Sequence, residues 1–379
     1  MNIAESERMR AMLAGEDNLV VVNSCAVTAE AVRQTRQAIR RARRDHPTAR
    51  LIVTGCAAET DRADIGGMGE VDGLIANAAK LDPRAWNIAG DAAPMAPART
   101  RAFIAVQNGC DHACTFCIIP QGRGASRSVP VVDVLREVAA HLDAGAREIV
   151  LTGVDLTSWG QDMFGAPRLG VLVEAILDEF PTLARLRLSS VDGVEIDAGL
   201  FDLLAHEQRV MPHLHLSLQH GADLILKRMK RRHLRGDAVG LVARLKALRP
   251  EVAVGADLIA GFPTETDAHH ADNLSIIEEL DIVHAHIFPF SARPGTPAAR
   301  MPQLPRTVVK ARAADLRART AARRAAWLQT LVGETLPVLA ERDGTGYAPN
   351  YARVALPSAT PAGAVIDITI SGIEKGLLQ

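Results

Sequence analysis

The sequence predicts an α/β protein of parallel sheets that ends in a small β module. Three observations predict it. Two short apolar runs near the start, Leu19–Val22 and Leu51–Thr54, flank a helical stretch and read as a βαβ unit of buried parallel strands. From Arg101 to about Gln329, strand and helix patterns alternate six times, which favours a parallel barrel or partial barrel over a sandwich. From about Gly333, short strand-like runs are punctuated by Gly344, Gly346, Pro349, Pro357 and Pro361.

The expected strands of the central region are Phe103–Val106, Glu148–Leu151, Leu186–Ser189, His213–Leu218, Val252–Ile259 and Val283–Phe288. Val131, Val134, Leu135, Val138 and Leu142 recur at helical spacing after the start signal of Ser128 and Pro130. The final region offers Leu336–Leu339, Ala352–Leu356 and Val365–Ile370. A Pro/Ala-rich linker separates the first two regions. The expected division is therefore 1–91, a linker at 92–100, 101–331 and 332–379.

Composition excludes several classes. The chain has 379 residues, 48% hydrophobic and 23% charged, an ordinary globular balance. Lys and Arg number 43 against 44 Asp and Glu, so net charge points to no partner. No apolar stretch approaches the ~20 residues of a membrane helix, and the N-terminus lacks a secretory h-region. The five cysteines are an odd number and do not read as a disulfide framework. Reduced thiols in a cytoplasmic setting, without a membrane, are expected.

Three of the five fall within eight residues. Cys110, Cys114 and Cys117 have the spacing C-x3-C-x2-C in the loop after Phe103–Val106. Structural zinc needs a fourth ligand, and only His112 is nearby. Three unrelated buried thiols are a further reading. The third is an iron–sulfur cluster held by three thiolates with one iron left open, a site where a substrate can coordinate.

On these residues the chain resembles the radical S-adenosylmethionine (SAM) superfamily, with Phe116 as the aromatic of its C-x3-C-x-aromatic-C motif. The resemblance implies a [4Fe–4S] cluster whose open iron chelates SAM, and reductive cleavage to a 5′-deoxyadenosyl radical. It also implies SAM contacts from Gly153 and Asp155 in LTGVDLTSWG, and from Ser190 and Gln219 at strand ends.

Cys25 and Cys56 each lie just beyond the end of an expected parallel strand, where open α/β sheets bind ligands. A buried cysteine is usually a small hydrophobe, but the matched placement suggests shared ligation. Together with LRLSSVDGVEID, LHLSLQHGADLILKRMKRRH, DLIAGFPTET and FPFSARPGTPA, they resemble the methylthiotransferases. That family implies a flavodoxin-like N-terminal domain with a second, auxiliary [4Fe–4S] cluster on three cysteines. It further implies a (β/α)6 partial TIM barrel of radical SAM type and a C-terminal TRAM-like β module. The family's first cysteine precedes a segment like L-N-x-x-E-S-E, and here the chain opens MNIAESE, so that cysteine and its strand are missing. Either the start is assigned too late, or the auxiliary cluster is weak or absent.

Three basic runs suggest RNA. Residues 33–50 hold seven Arg against Asp45, residues 227–235 hold six cations and no acid, and residues 306–324 hold seven cations against Asp315. Solvated helix faces are the alternative. Aromatics are only 3%, so base stacking would lean on Arg planes. The stretch NSCAVTAEAVRQTRQAIRRARRDHP followed by VTGCAAE looks most like the threonylcarbamoyladenosine group. That implies C2 methylthiolation of this adenosine beside the anticodon of tRNA, with a reductase as electron donor. A ribosomal-protein aspartate methylthiotransferase and a catalytically impaired Fe–S tRNA-binding protein are the alternatives.

Overall fold

The computed structural model describes residues 2–88 and 99–379. Positions 92–98 of the expected linker lie outside the described residues. The chain divides into two compact units. The first gathers Met1–Pro97, Asn108–Arg127 and Ser291–Met301; the second holds Ala98–Gln107, Ser128–Phe290 and Pro302–Gln379.

The first unit opens with α1 (Asn2–Met12), then β1 (Leu19–Ser24), α2 (Ala29–Asp45), β2 (Arg50–Gly55), α3 (Cys56–Thr60), α4 (Arg62–Gly66) and β3 (Gly73–Leu74). β1, β2 and β3 form a parallel sheet in that order, with Ser24 paired to Gly55 at the end of the β1–β2 ladder. α2 begins where the Thr28 hydroxyl accepts from Ala31 N at 3.0 Å, satisfying an orphan amide. It buries Val32, Thr35 and Ile39, one helical stripe, against Leu51 and Val53 of β2. Met9 and Leu13 form a second cluster with Ile52, Ile75 and Trp86. The short helix α5 (Ile119–Arg123) also belongs to this unit, and Ile118 beside it joins the α2 core.

The second unit carries β4 (Arg101–Ala105), two-residue strands β5 (Gln107–Asn108) and β6 (Arg127–Ser128) at its margins, and then α6 (Val131–Asp143), β7 (Glu148–Thr152), α7 (Leu169–Glu179), β8 (Leu186–Leu188), α8 (Ala198–His206) and β9 (His213–Gln219). α9 (Asp223–Arg228), α10 (Arg235–Leu248), β10 (Ala253–Ala260), α11 (Asp267–Glu279), β11 (Ile282–Pro289) and α12 (Arg306–Gln329) follow. The parallel ladders run β4–β7–β8 and β9–β10–β11. Parallel bridges Leu186–Val210 and Val191–Leu216 join the two halves. This is the expected six-stranded partial barrel. All five residues of β7 are buried, as in strands covered on both faces.

Six short strands close the chain: β12 (Thr335–Ala340), β13 (Thr345–Tyr347), β14 (Arg353–Ala355), β15 (Val365–Thr369), β16 (Ile373–Glu374) and β17 (Leu377–Leu378). They form one sheet in the order β15-β12-β13-β14-β17-β16. The barrel and this sheet share one compact unit. Arg185 donates to the carbonyls of Tyr347 and Pro337, and Arg187 to that of Pro349. Glu148, fully buried, anchors Arg187 at 2.8 Å. Burial would raise the Glu148 carboxyl, but Arg187, Arg101 and Arg185 hold it below the usual range.

Candidate functional site: five thiols in one unit

The three-thiol loop is held by backbone geometry. Gly109 has φ +77°, and a Cβ there would fall 1.9 Å from the Ala125 carbonyl oxygen, so only glycine fits. Cys110 N donates to Gly124 O at 3.1 Å, and Cys117 N to Cys114 O at 3.1 Å. Ile119 N donates toward the Cys117 sulfur at 3.5 Å. None of the five cysteines is in a disulfide, and all three of this loop are half-buried. Phe116 lies among them, also half-buried.

Cys25 and Cys56 follow the paired residues Ser24 and Gly55, so they leave adjacent strands side by side. The Ser24 hydroxyl accepts from Ala57 N and Ala58 N at 3.1 and 3.2 Å, fixing the start of α3. Cys56 is buried. Its neighbourhood is shared with the loop: a Cβ at Gly122 would come 3.1 Å from the Cys56 Cβ. Asn77 Nδ2 donates to Gly122 O at 2.6 Å and approaches the Cys56 sulfur at 3.8 Å. Burial, aided by the charge of Cys25, pushes the Cys56 thiol up, against the pull of Arg123 and Lys80.

A buried ion network underlies this edge. Glu5, only 2% exposed, accepts from Lys80 at 2.7 Å and from both terminal nitrogens of Arg123 at 2.7 and 3.1 Å. Arg123 also donates to Asn108 and Asn2. Burial would raise the Glu5 carboxyl, but Arg123 and Lys80 hold it at about 2. The Lys80 amine moves down, because burial outweighs its single carboxylate; the two-cation grip on Glu5 governs the network. Sequence reading missed Lys80, Asn77, Arg123 and Glu5 as site residues. A Lys and a Glu 75 positions apart carry no local signal of their pairing.

The donor set fits a cluster with one open position: three thiols from one loop, with an N–H facing one sulfur. A His112 ring nitrogen also comes within 4.8 Å of the Cys110 sulfur, a mixed donor set that zinc also accepts. At the other edge, Cys25 and Cys56 supply two thiols from adjacent strand ends.

In the second unit, Gly153 and Asp155 follow β7. The Gln107 side-chain oxygen accepts from Asp155 N at 2.8 Å, and a Cβ at Gly153 would meet that same oxygen at 3.0 Å. Ser158 Oγ donates to Asp155 at 2.7 Å. Ser190 follows β8 and lines a cavity of about 430 Å³. Gln219 ends β9 with φ +71°, a left-handed conformation that a non-glycine residue takes at some cost.

Part of each basic run is paired with acids. Arg36, Arg40 and Arg43 pair with Asp64, Glu70 and Asp72. Arg231 and Arg232 bind the buried Asp192, and Arg232 also binds the buried Glu195. Arg312, Arg319 and Arg323 pair with Asp267, Glu278 and Asp281. The count of cations in each run therefore overstates the charge free to meet a polyanion. The matching acids are distant in sequence.

Comparison with known proteins gives the family. Residues 104–275 match the Radical SAM superfamily, and residues 1–76 match the Uncharacterized protein family UPF0004. The architecture is thus that of a radical SAM enzyme. The threonylcarbamoyladenosine tRNA methylthiotransferase MtaB of Rickettsia prowazekii is 41% identical, over 100% of this chain and 94% of its own length. That of Chlamydia pneumoniae is 35% identical over 94% and 87%. The tRNA-2-methylthio-N(6)-dimethylallyladenosine synthase of Novosphingobium aromaticivorans is 34% identical over 91% and 85%. This chain belongs to the radical SAM methylthiotransferase family. The radical SAM methyltransferase TsrM of Kitasatospora setae shares the fold, with a TM-score of 0.54 and 16% identity over 78% of this chain and 66% of that one. No helix among the described residues is long and apolar enough to cross a membrane.

Proposed function

We propose that this protein methylthiolates C2 of N6-threonylcarbamoyladenosine beside the anticodon of tRNA. The observation that carries the reading is 41% identity across the whole chain to a relative named for that substrate, together with the three-thiol loop. Cys110, Cys114 and Cys117 would hold a [4Fe–4S] cluster. With SAM bound, that group supplies one-electron chemistry able to activate an aromatic C–H that has no acidic proton for acid–base catalysis.

The chain's own residues prepare the site. Gly109 and Gly124 set the loop path, and Gln107 fixes the Asp155 backbone after β7. Gly153, Asp155, Ser190, Gln219 and Phe116 are assigned to SAM. Cys25 and Cys56 are assigned to an auxiliary cluster that needs a third ligand. An external reductase supplies electrons. The division at 1–91, 101–331 and 332–379 is retained as the functional one, for auxiliary site, radical chemistry and β module.

The test is mass spectrometry of tRNA nucleosides from a deletion strain, with complementation. The methylthio form of threonylcarbamoyladenosine should vanish and return. Loss of the dimethylallyladenosine product instead would reassign the substrate, and unchanged tRNA would sink the reading. Cys110→Ala should abolish SAM cleavage; retained cleavage would remove the loop from the chemistry.

A further inference from the structure

The cavity of about 430 Å³ in the second unit is of ligand size. Its walls come from β4, β7, β8, β9, β11, α12 and Tyr351 of the β module. Arg187, Arg317 and Arg324 line it, and among the described residues no carboxylate does. Arg187 is already neutralised by Glu148. Arg324 donates to the His284 ring at 2.7 Å, and exposed Arg317 reaches only the Ile287 carbonyl, at 3.4 Å. Neither of these two guanidinium groups has an acidic partner.

His213 is the second observation. It is 7% exposed, lines the cavity, and has both ring nitrogens buried without a hydrogen-bond partner. An unpaired buried polar atom is costly, and a ligand oxygen would satisfy it. Burial, with the charge of Arg187, keeps the His213 imidazole well below its usual range and therefore neutral. Tyr351 lies beside it, with ring centroids 4.9 Å apart, and gives an aromatic wall. Asp257 stands behind the cavity, held between His215 at 3.1 Å and His286 at 2.9 Å. Those three could in isolation ligate a cation, but the arginines of the same cavity oppose one.

We infer that this cavity receives the carboxylate-bearing substituent of the modified adenosine, with Arg317 and Arg324 binding the carboxylate and His213 hydrogen-bonding the substituent. The inference rests on the substrate proposed above and adds which residues read it. Dimethylallyl, the apolar alternative, offers nothing to these three groups. An arginine–carboxylate contact replaced by an unpaired guanidinium costs about 10- to 100-fold in affinity.

The test measures binding of anticodon stem-loops to the reconstituted enzyme. One loop carries threonylcarbamoyladenosine as the free acid, and a second carries its methyl ester, which keeps the shape and removes the charge. The ratio of the two affinities cancels non-specific phosphate binding. Wild type should prefer the acid by about tenfold or more. Arg317→Met and Arg324→Gln should each bring the ratio toward one, and Arg317→Lys should keep part of it. Arg317 is exposed, so its replacement does not threaten the fold. A wild type that binds acid and ester equally, or variants that keep the full preference, would overturn the inference. Failure of the substrate reading shows separately, as threonylcarbamoyladenosine left unmethylthiolated in cells that contain the enzyme.

Discussion

Glu5→Gln isolates the buried network under the thiol edge. The substitution keeps the shape of the side chain and removes the one charge that Lys80 and Arg123 share. Two estimates of the cost agree. Holding a carboxyl at about 2 rather than its ordinary 4.5 corresponds to about 3 kcal/mol. Removing one partner of a buried ion pair typically costs about 3–5 kcal/mol. Because the folded value is depressed, the contribution is complete above pH 4.5 and is lost as pH falls toward 2. Between pH 6 and 8 the gap between variant and wild type should be flat. A protein of this size does not unfold in one step, so a local measurement is needed. Amide hydrogen exchange of the peptide covering α1 reports the opening of the element that carries Glu5. About 3 kcal/mol is about two decades of protection. Protection of α1 unchanged within about threefold would refute the network as the anchor of this helix.

Three further outcomes follow from the geometry. Gly109→Ala forces a Cβ toward the Ala125 carbonyl at a left-handed φ, so reconstituted iron should fall by about four atoms per chain; full iron content would show that the loop tolerates a new path. Asp257 holds the His286 imidazole above its ordinary range, so an NMR titration should place His286 higher than an exposed histidine, and Asp257→Asn should return it; its stabilising share is present below pH 6.5 and is lost as pH rises through the raised value. Glu148→Gln leaves Arg185 and Arg187 without their fully buried counter-charge, and exchange protection of β7 should fall by two decades or more, about 3 kcal/mol; a small change would mean that the carbonyls of the β module satisfy both arginines alone.

The barrel strands were legible to within one or two residues, because each is a buried apolar run bounded by turn residues. Glu148–Leu151 extends only to Thr152, and Val252–Ile259 shifts to Ala253–Ala260. The three-thiol loop was legible because its spacing is local. Short elements escaped: β3 and β16 have two residues each, too few for any periodicity. Long-range charge pairing escaped as well. Arg231 reads as part of a basic run until Asp192, 39 positions earlier, is found beside it. His213 reads as an ordinary strand residue, and only the cavity shows that its nitrogens have no partner.

The first unit is assembled from three separated stretches of chain, and this sets a timetable for its birth on the ribosome. Ala29 N donates to the Ser291 hydroxyl, Arg293 binds Asp61 at 3.0 Å, and Ala298 N donates to Thr115 O, so the stretch Ser291–Met301 completes the body. The stretch Met1–Pro97 emerges about two hundred residues sooner, which at ~5–20 residues per second is a wait of ~10–40 s. During that interval Glu5 and Lys80 are in place before Arg123, and Cys25 and Cys56 before Gly122. The pieces of the first unit therefore arrive in a fixed order, with Ser291–Met301 last.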